Sequence, residues 1–150
     1  MYYGSVSSLD KELFNRINAL LKKDTTLKGT FIEELKTKGL CASDIYKDSY
    51  LFIHELKGVI VGIVITSDPH KAYVSLDYVW VNPEFRGRGV GSYLLSYIDI
   101  HLKKKVLNIT TWSTNHAQVR ILEKMGFVVW DYKPTGKKDC VLLYFEKFTF

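Results

Sequence analysis

The sequence predicts an α/β (α+β) fold: a mixed, mostly antiparallel twisted sheet of six to seven strands flanked by about four helices. Two observations carry this. Apolar segments of strand character open as a meander, then alternate with two helical segments, and close as a hairpin. That order gives antiparallel pairing first and crossovers where the helices intervene. The chain is also uniform: its 150 residues contain no repeat, low-complexity stretch or linker, so residues 1–150 read as one domain, long enough to build a core without disulfides or a metal.

YYGSVS at the start reads as a short strand. Leu13, Phe14, Ile17, Leu20 and Leu21 then recur at helical spacing behind Ser8, Asp10 and Glu12, which favour a helix start. A second short helix is expected over 30–38, ending near Gly39. YLFIHEL and VIVGIVITS flank Lys57-Gly58 as a hairpin. Asp68-Pro69 then breaks the chain before the long strand AYVSLDYVWV. A glycine loop follows, and a helix runs to about Leu102 on Leu94, Leu95 and Ile98. VLNITTWS, residues 106–113, reads as a strand, and a helix over about 116–125 stops at Gly126. FVVWDY and CVLLYFEKF close the chain as a strand pair around Pro134-Thr135-Gly136.

Composition excludes several classes. Cys41 and Cys140 are too few and too far apart for a disulfide framework or zinc cluster, and His54, His70, His101 and His116 show no ligand spacing. The opening MYYGSVSSLDKELF lacks a basic region followed by an apolar run, and no uncharged apolar segment is long enough to cross a bilayer, so a cytoplasmic location is expected. The net charge of +5 suits an anionic ligand. The lysines are scattered apart from Lys103–Lys105 and Lys137-Lys138, which read as solvated helix-end and turn positions. Nucleic-acid binding therefore has charge but no motif behind it.

The stretch VNPEFRGRGVGSYLL, residues 81–95, carries the chemistry. Glycine lets a ligand approach the backbone, and N–H groups converge where a loop enters a helix whose N-terminus is partially positive. Together these favour a phosphate or pyrophosphate. Gly87, Gly89 and Gly91 give room, and Arg86 and Arg88 add charge. The dinucleotide fingerprint fails because its third glycine is missing, and the P-loop fails because Gly91 is followed by Ser92 rather than lysine.

Arg86-Gly87-Arg88-Gly89-Val90-Gly91 resembles the Gln/Arg-x-x-Gly-x-Gly/Ala signature of the GCN5-related N-acetyltransferases (GNAT). A second block, NHAQVRILEKMGF from Asn115 to Phe127, is similar to that family's Asn-x-x-Ala…Glu-Lys-x-Gly-Phe segment, with Ala117 one place early. The resemblance covers residues 73–130 well and the strand pair from 50 to 66 fairly. It implies acetyl-CoA as co-substrate, no metal, and a V-shaped splay between the strands at about 73–82 and 106–113. It implies that backbone amides of Gly87, Arg88, Gly89, Val90, Gly91 and Ser92 hold the pyrophosphate. The pantetheine arm would add to the strand edge at Val79, Trp80 and Val81, where an amide would polarise the thioester carbonyl. Asn115 matches a residue that contacts the cofactor arm, and it reads equally as a helix cap.

Acetyl transfer to an amine needs a proton taken from the ammonium and favours one given to the thiolate. Asp77 is the candidate general base: it interrupts an apolar strand and is expected on one face with Val79 and Val81. It reads otherwise as a carboxylate at a wet strand edge or paired with a lysine. Many family members carry a tyrosine four residues before the Gly-Phe pair, where this chain has Leu122. Tyr132 is the candidate general acid, with Tyr93, Tyr97 and Tyr144 as alternatives, each equally readable as packing. The expected function is N-acetyl transfer to a primary amine of a small molecule or peptide in a ternary complex. The alternative is a CoA-binding sensor or scaffold without catalysis. No nucleic acid or membrane partner is expected, and a homodimer stays open.

Overall fold

The computed structural model describes residues 2–5, 9–25 and 48–149; the helix expected over 30–38 lies outside them. Strand β1 (Tyr2–Ser5), helix α1 (Lys11–Lys23), β2 (Tyr50–Leu56), β3 (Val59–Thr66) and β4 (Tyr73–Val81) come first. They are followed by α2 (Val90–His101), β5 (Val106–Trp112), α3 (His116–Lys124), β6 (Val128–Pro134) and β7 (Val141–Phe148), with a 3-10 turn at Pro83–Phe85 before α2. The seven strands form one sheet in the order β1-β2-β3-β4-β5-β7-β6. All neighbours are antiparallel except β4 and β5, which run parallel across the α2 crossover. Three α-helices stand among the described residues.

The helices form where the sequence marks them. Asp10 caps α1 by accepting from Leu13 N at 2.8 Å, and Ile17 and Leu21, four residues apart, are buried on one side of that helix. Asn115 caps α3 through its Oδ1, which accepts from Gln118 N at 3.3 Å. The sheet separates two cores. Ile17 and Leu21 pack with Leu51, Ile53, Ile63, Ile65, Tyr78 and Trp80 on the α1 face. Leu94, Leu95 and Ile98 of α2 pack with Val74, Leu76, Leu107, Ile109, Leu122 and Phe145 on the other. Gly62 allows the close approach of α2: a Cβ there would meet Leu94 Cδ1 at 2.5 Å and Val90 Cγ1 at 3.1 Å.

Two irregularities of β4 decide where the candidate site lies. First, β4 pairs with β5 only from Tyr73↔Val106 to Leu76↔Ile109. Beyond that, Thr110, Thr111 and Trp112 pair with β7, and Tyr78, Val79, Trp80 and Val81 pair with β3, so the strands part. Second, Ile65 opposes Tyr78 and Thr66 opposes Leu76, leaving Asp77 as the extra residue of a bulge. The bulge breaks the alternation of faces. Val74 and Leu76 belong to the α2 core, whereas Tyr78 and Trp80 belong to the α1 core and Val79 and Val81 pack towards α2. Simple alternation put Asp77 on one face with Val79 and Val81. The bulge corrects that: Asp77 shares its side with Ser75, whose hydroxyl donates to Asp77 Oδ1 at 2.7 Å.

Candidate active site

Where β4 leaves β5, the chain turns towards α2 through a braced corner. The amide of Asn82, itself buried, donates to Ile60 O at 3.1 Å, and its Oδ1 accepts from Glu84 N at 3.2 Å. The backbone N–H of Asn82 donates to Val61 O at 2.8 Å. Gly87 and Gly89 then adopt φ of 77° and 81°, a region costly for residues with a Cβ. Gly89 caps α2, and the first helical bond is Tyr93 N to Gly89 O at 3.0 Å. The N–H groups of Val90, Gly91 and Ser92 therefore have no acceptor within the helix and gather at its positive end.

A cleft of about 480 Å³ opens over this helix start. It brings together Val79, Trp80, Val81, Arg86, Gly87, Gly89, Val90, Gly91, Ser92 and Asn115, all expected from the sequence, and adds Ala117, Gln118 and Ile121 from α3. Arg88, the remaining loop residue, has its guanidinium 5.6 Å from the centre of the Phe85 ring instead. A Cβ at Gly91 would meet only Ile121 Cδ1 and Val81 Cγ2, each at 3.7 Å. Those are ordinary contacts, so the protein has no packing need for glycine there and the space belongs to the cleft. A second hollow of about 430 Å³ continues past Ser92 and Ile121 to Arg120 and Lys124.

Asp77 lies at the bulge where the strands begin to part. Partial burial raises its pKa above the ordinary carboxylate value, and the hydrogen bond from Ser75 opposes that rise. Asp77 is nonetheless an exposed residue of the strand, and solvent screening tempers the shift. Tyr132 is not brought to the cleft. It sits on β6, the outer strand, 64% exposed, with β7 and β5 between it and β4. Its partner Leu143 packs towards the α2 core, so Tyr132 lies far from Asp77. Leu122, four residues before the Gly126-Phe127 pair, is fully buried in the α2 core. No cluster of His, Cys, Asp or Glu among the described residues is arranged to hold a metal, and no helix among them is long and apolar enough to cross a membrane.

A sequence profile described as the acetyltransferase (GNAT) family matches residues 14–127. The chain belongs to that family. A curated acetyltransferase of Yersinia enterocolitica is 34% identical over 96 residues, spanning 61% of this chain and 67% of that protein. Among solved structures, the ribosomal-protein-S18-alanine N-acetyltransferase of Escherichia coli is similar with a TM-score of 0.71 at 14% identity, over 97% of this chain and 91% of that one. A Bacillus anthracis protein provisionally assigned as a streptothricin acetyltransferase, solved with acetyl coenzyme A, matches with a TM-score of 0.59 at 21% identity. That match covers 67% of this chain and 62% of the other.

Within this GNAT chain, sequence reasoning missed two things. Ala117, Arg120, Ile121 and Lys124 follow one another at spacings of three, one and three along α3 and line one side of the two hollows, a periodicity that was legible. Asp24 was not legible. It caps the end of α1 and is buried at 4% exposure, where it meets Trp80 and Arg86 across the fold; its contacts are 56 and 62 residues away in sequence.

Proposed function

We propose that this protein transfers the acetyl group of acetyl-CoA directly to an amine in a ternary complex, with Asp77 as general base. The observation that carries the reading is the parting of β4 from β5 directly before a glycine-lined helix start. The unpaired side of β4 offers an extended arm backbone groups at Val79 and Val81. The gathered N–H groups of Val90, Gly91 and Ser92 suit a pyrophosphate, and the space at Gly91 suits its close approach. Arg120 and Lys124 extend the cationic lining towards the nucleotide end.

In this reading the donor lies on the α2 side of the sheet and the acceptor approaches from the α1 side, where Asp77 sits. Asp77 accepts the ammonium proton, and its raised pKa makes it a better base than an ordinary aspartate. The amine nitrogen then bonds to the acetyl carbon as the C–S bond breaks; the sulfur leaves with the electron pair, and the second proton shed by the nitrogen passes to the departing thiolate to give the CoA thiol. A backbone N–H at the parted end of β4 stabilises charge on the carbonyl oxygen. The acceptor is a primary amine of a small molecule or a peptide.

Burial of Leu122 favours a second reading, a CoA-binding module without catalysis, because no hydroxyl stands there to protonate the thiolate. The two are separated by thiol release from acetyl-CoA across polyamines, amino acids, aminoglycosides and peptide N-termini. Amine-dependent release supports transfer. CoA binding with no stimulation by any amine of the panel supports the module.

A further inference from the structure

The loop that enters α2 is held from the opposite face of the sheet by a buried carboxylate. Asp24 closes α1, and its side chain is 2% exposed. Its Oδ2 accepts from Trp80 Nε1 at 2.8 Å and from the Arg86 guanidinium at 2.8 Å. The same guanidinium donates through Nε to Val81 O at 3.0 Å. Three segments therefore meet at one group: the end of α1, the parted end of β4, and the first residue of the glycine signature. A carboxylate this buried persists as an ion only when paired, and Arg86 supplies the pairing charge.

Arg88 differs. None of the described ion pairs involves it, and its guanidinium rests over Phe85 at the loop surface. We propose that Arg86 is a strut rather than a phosphate ligand, that Asp24 is a positioning residue for donor binding, and that Arg88 with the α2 N-terminus supplies the positive field. The proposal rests on the reading that the loop holds acetyl-CoA. Its physical content is a division of labour: a charge neutralised by a buried partner contributes geometry, whereas an unpaired charge contributes attraction that salt screens.

The test uses the whole protein, with CoA as the titrant and acetyl-CoA as the varied substrate. Arg86→Met and Asp24→Asn should each raise the CoA Kd and the acetyl-CoA KM about tenfold, with kcat at saturating donor held within about twofold. The double variant should be weaker than either single variant by much less than the sum of the two losses, because both changes break the same Asp24–Arg86 contact. The slope of log Kd against log salt should fall in Arg88→Met and stay unchanged in Arg86→Met. A salt slope reduced by Arg86→Met as much as by Arg88→Met would overturn the strut assignment. A lower melting temperature in Asp24→Asn with unchanged Kd and KM would overturn the positioning role. Arg86 is 41% exposed, so Arg86→Met carries the test if Asp24→Asn does not fold. Wild-type protein that fails to bind CoA would instead overturn the underlying reading of the loop.

Discussion

Strands β4 and β6 belong to one sheet and have opposite characters. In β4, Val74, Leu76, Tyr78 and Trp80 are buried between two layers of helix, and every irregularity has a consequence: the bulge turns Asp77, and the parting opens the cleft. In β6 all seven residues are exposed, with Val128 at 67% and Tyr132 at 64%. A strand packed on both faces holds its backbone groups in fixed positions. An outer strand with free faces presents side chains, and those can vary without disturbing the fold. In the proposed reading the donor is held by the first region, and β6 takes no part in holding it.

The largest effect should come from Asp77→Asn, which keeps the shape of the carboxyl and removes its basicity. Amine-dependent kcat/KM should drop by about 10² to 10³, while calorimetry gives an unchanged CoA Kd. Wild-type kcat/KM should rise with pH through a limb lying above the ordinary aspartate range, since the ionised form is the active one and burial raises its pKa. Ser75→Ala should push that limb higher by removing the opposing hydrogen bond. A pKa raised on folding also favours the neutral carboxyl in the native state. Its stabilising contribution is full below the unfolded pKa and is lost as pH rises through the folded one. Asp77→Asn should therefore melt no lower than wild type at neutral pH.

Next in size, Gly62→Ala and Gly91→Ala should break the donor region in two different ways. The first inserts a methyl 2.5 Å from Leu94 Cδ1 and should cost about 1–3 kcal/mol in denaturant unfolding, with CoA affinity preserved in the folded fraction. The second places its methyl at ordinary contact distance, so stability should hold while CoA affinity falls about tenfold, or about 1.4 kcal/mol. The smallest effect belongs to β6: Tyr132→Phe should change stability by less than about 0.5 kcal/mol and leave turnover as it was. A large loss of turnover in Tyr132→Phe would restore the general-acid role that its position speaks against.

What the residues disclosed in advance follows the same division. The order of strands and helices, the glycine loop and the cap at Asn115 were legible because each depends on neighbours a few residues away. The cleft-lining residues Val79, Trp80, Val81, Arg86, Gly87, Gly89, Val90, Gly91 and Ser92 were legible for the same reason: a glycine loop between a strand and a helix is a local feature of the sequence. The face of Asp77 was not, because a bulge is a disagreement between two strands and neither sequence shows it alone. The position of Tyr132 was not legible because strand order was unknown: a chain that inserts β7 between β5 and β6 moves the next strand in sequence away from the cleft. Asp24 was silent because its partners are remote in sequence.

Backbone amide exchange, with and without acetyl-CoA, tests the central claim most directly. Addition of acetyl-CoA should slow exchange at Val79 and Val81 and across Gly87 to Ser92, and leave Val128 to Lys133 unchanged. Slowing confined to the β6–β7 hairpin, or no slowing anywhere along the loop, would contradict it.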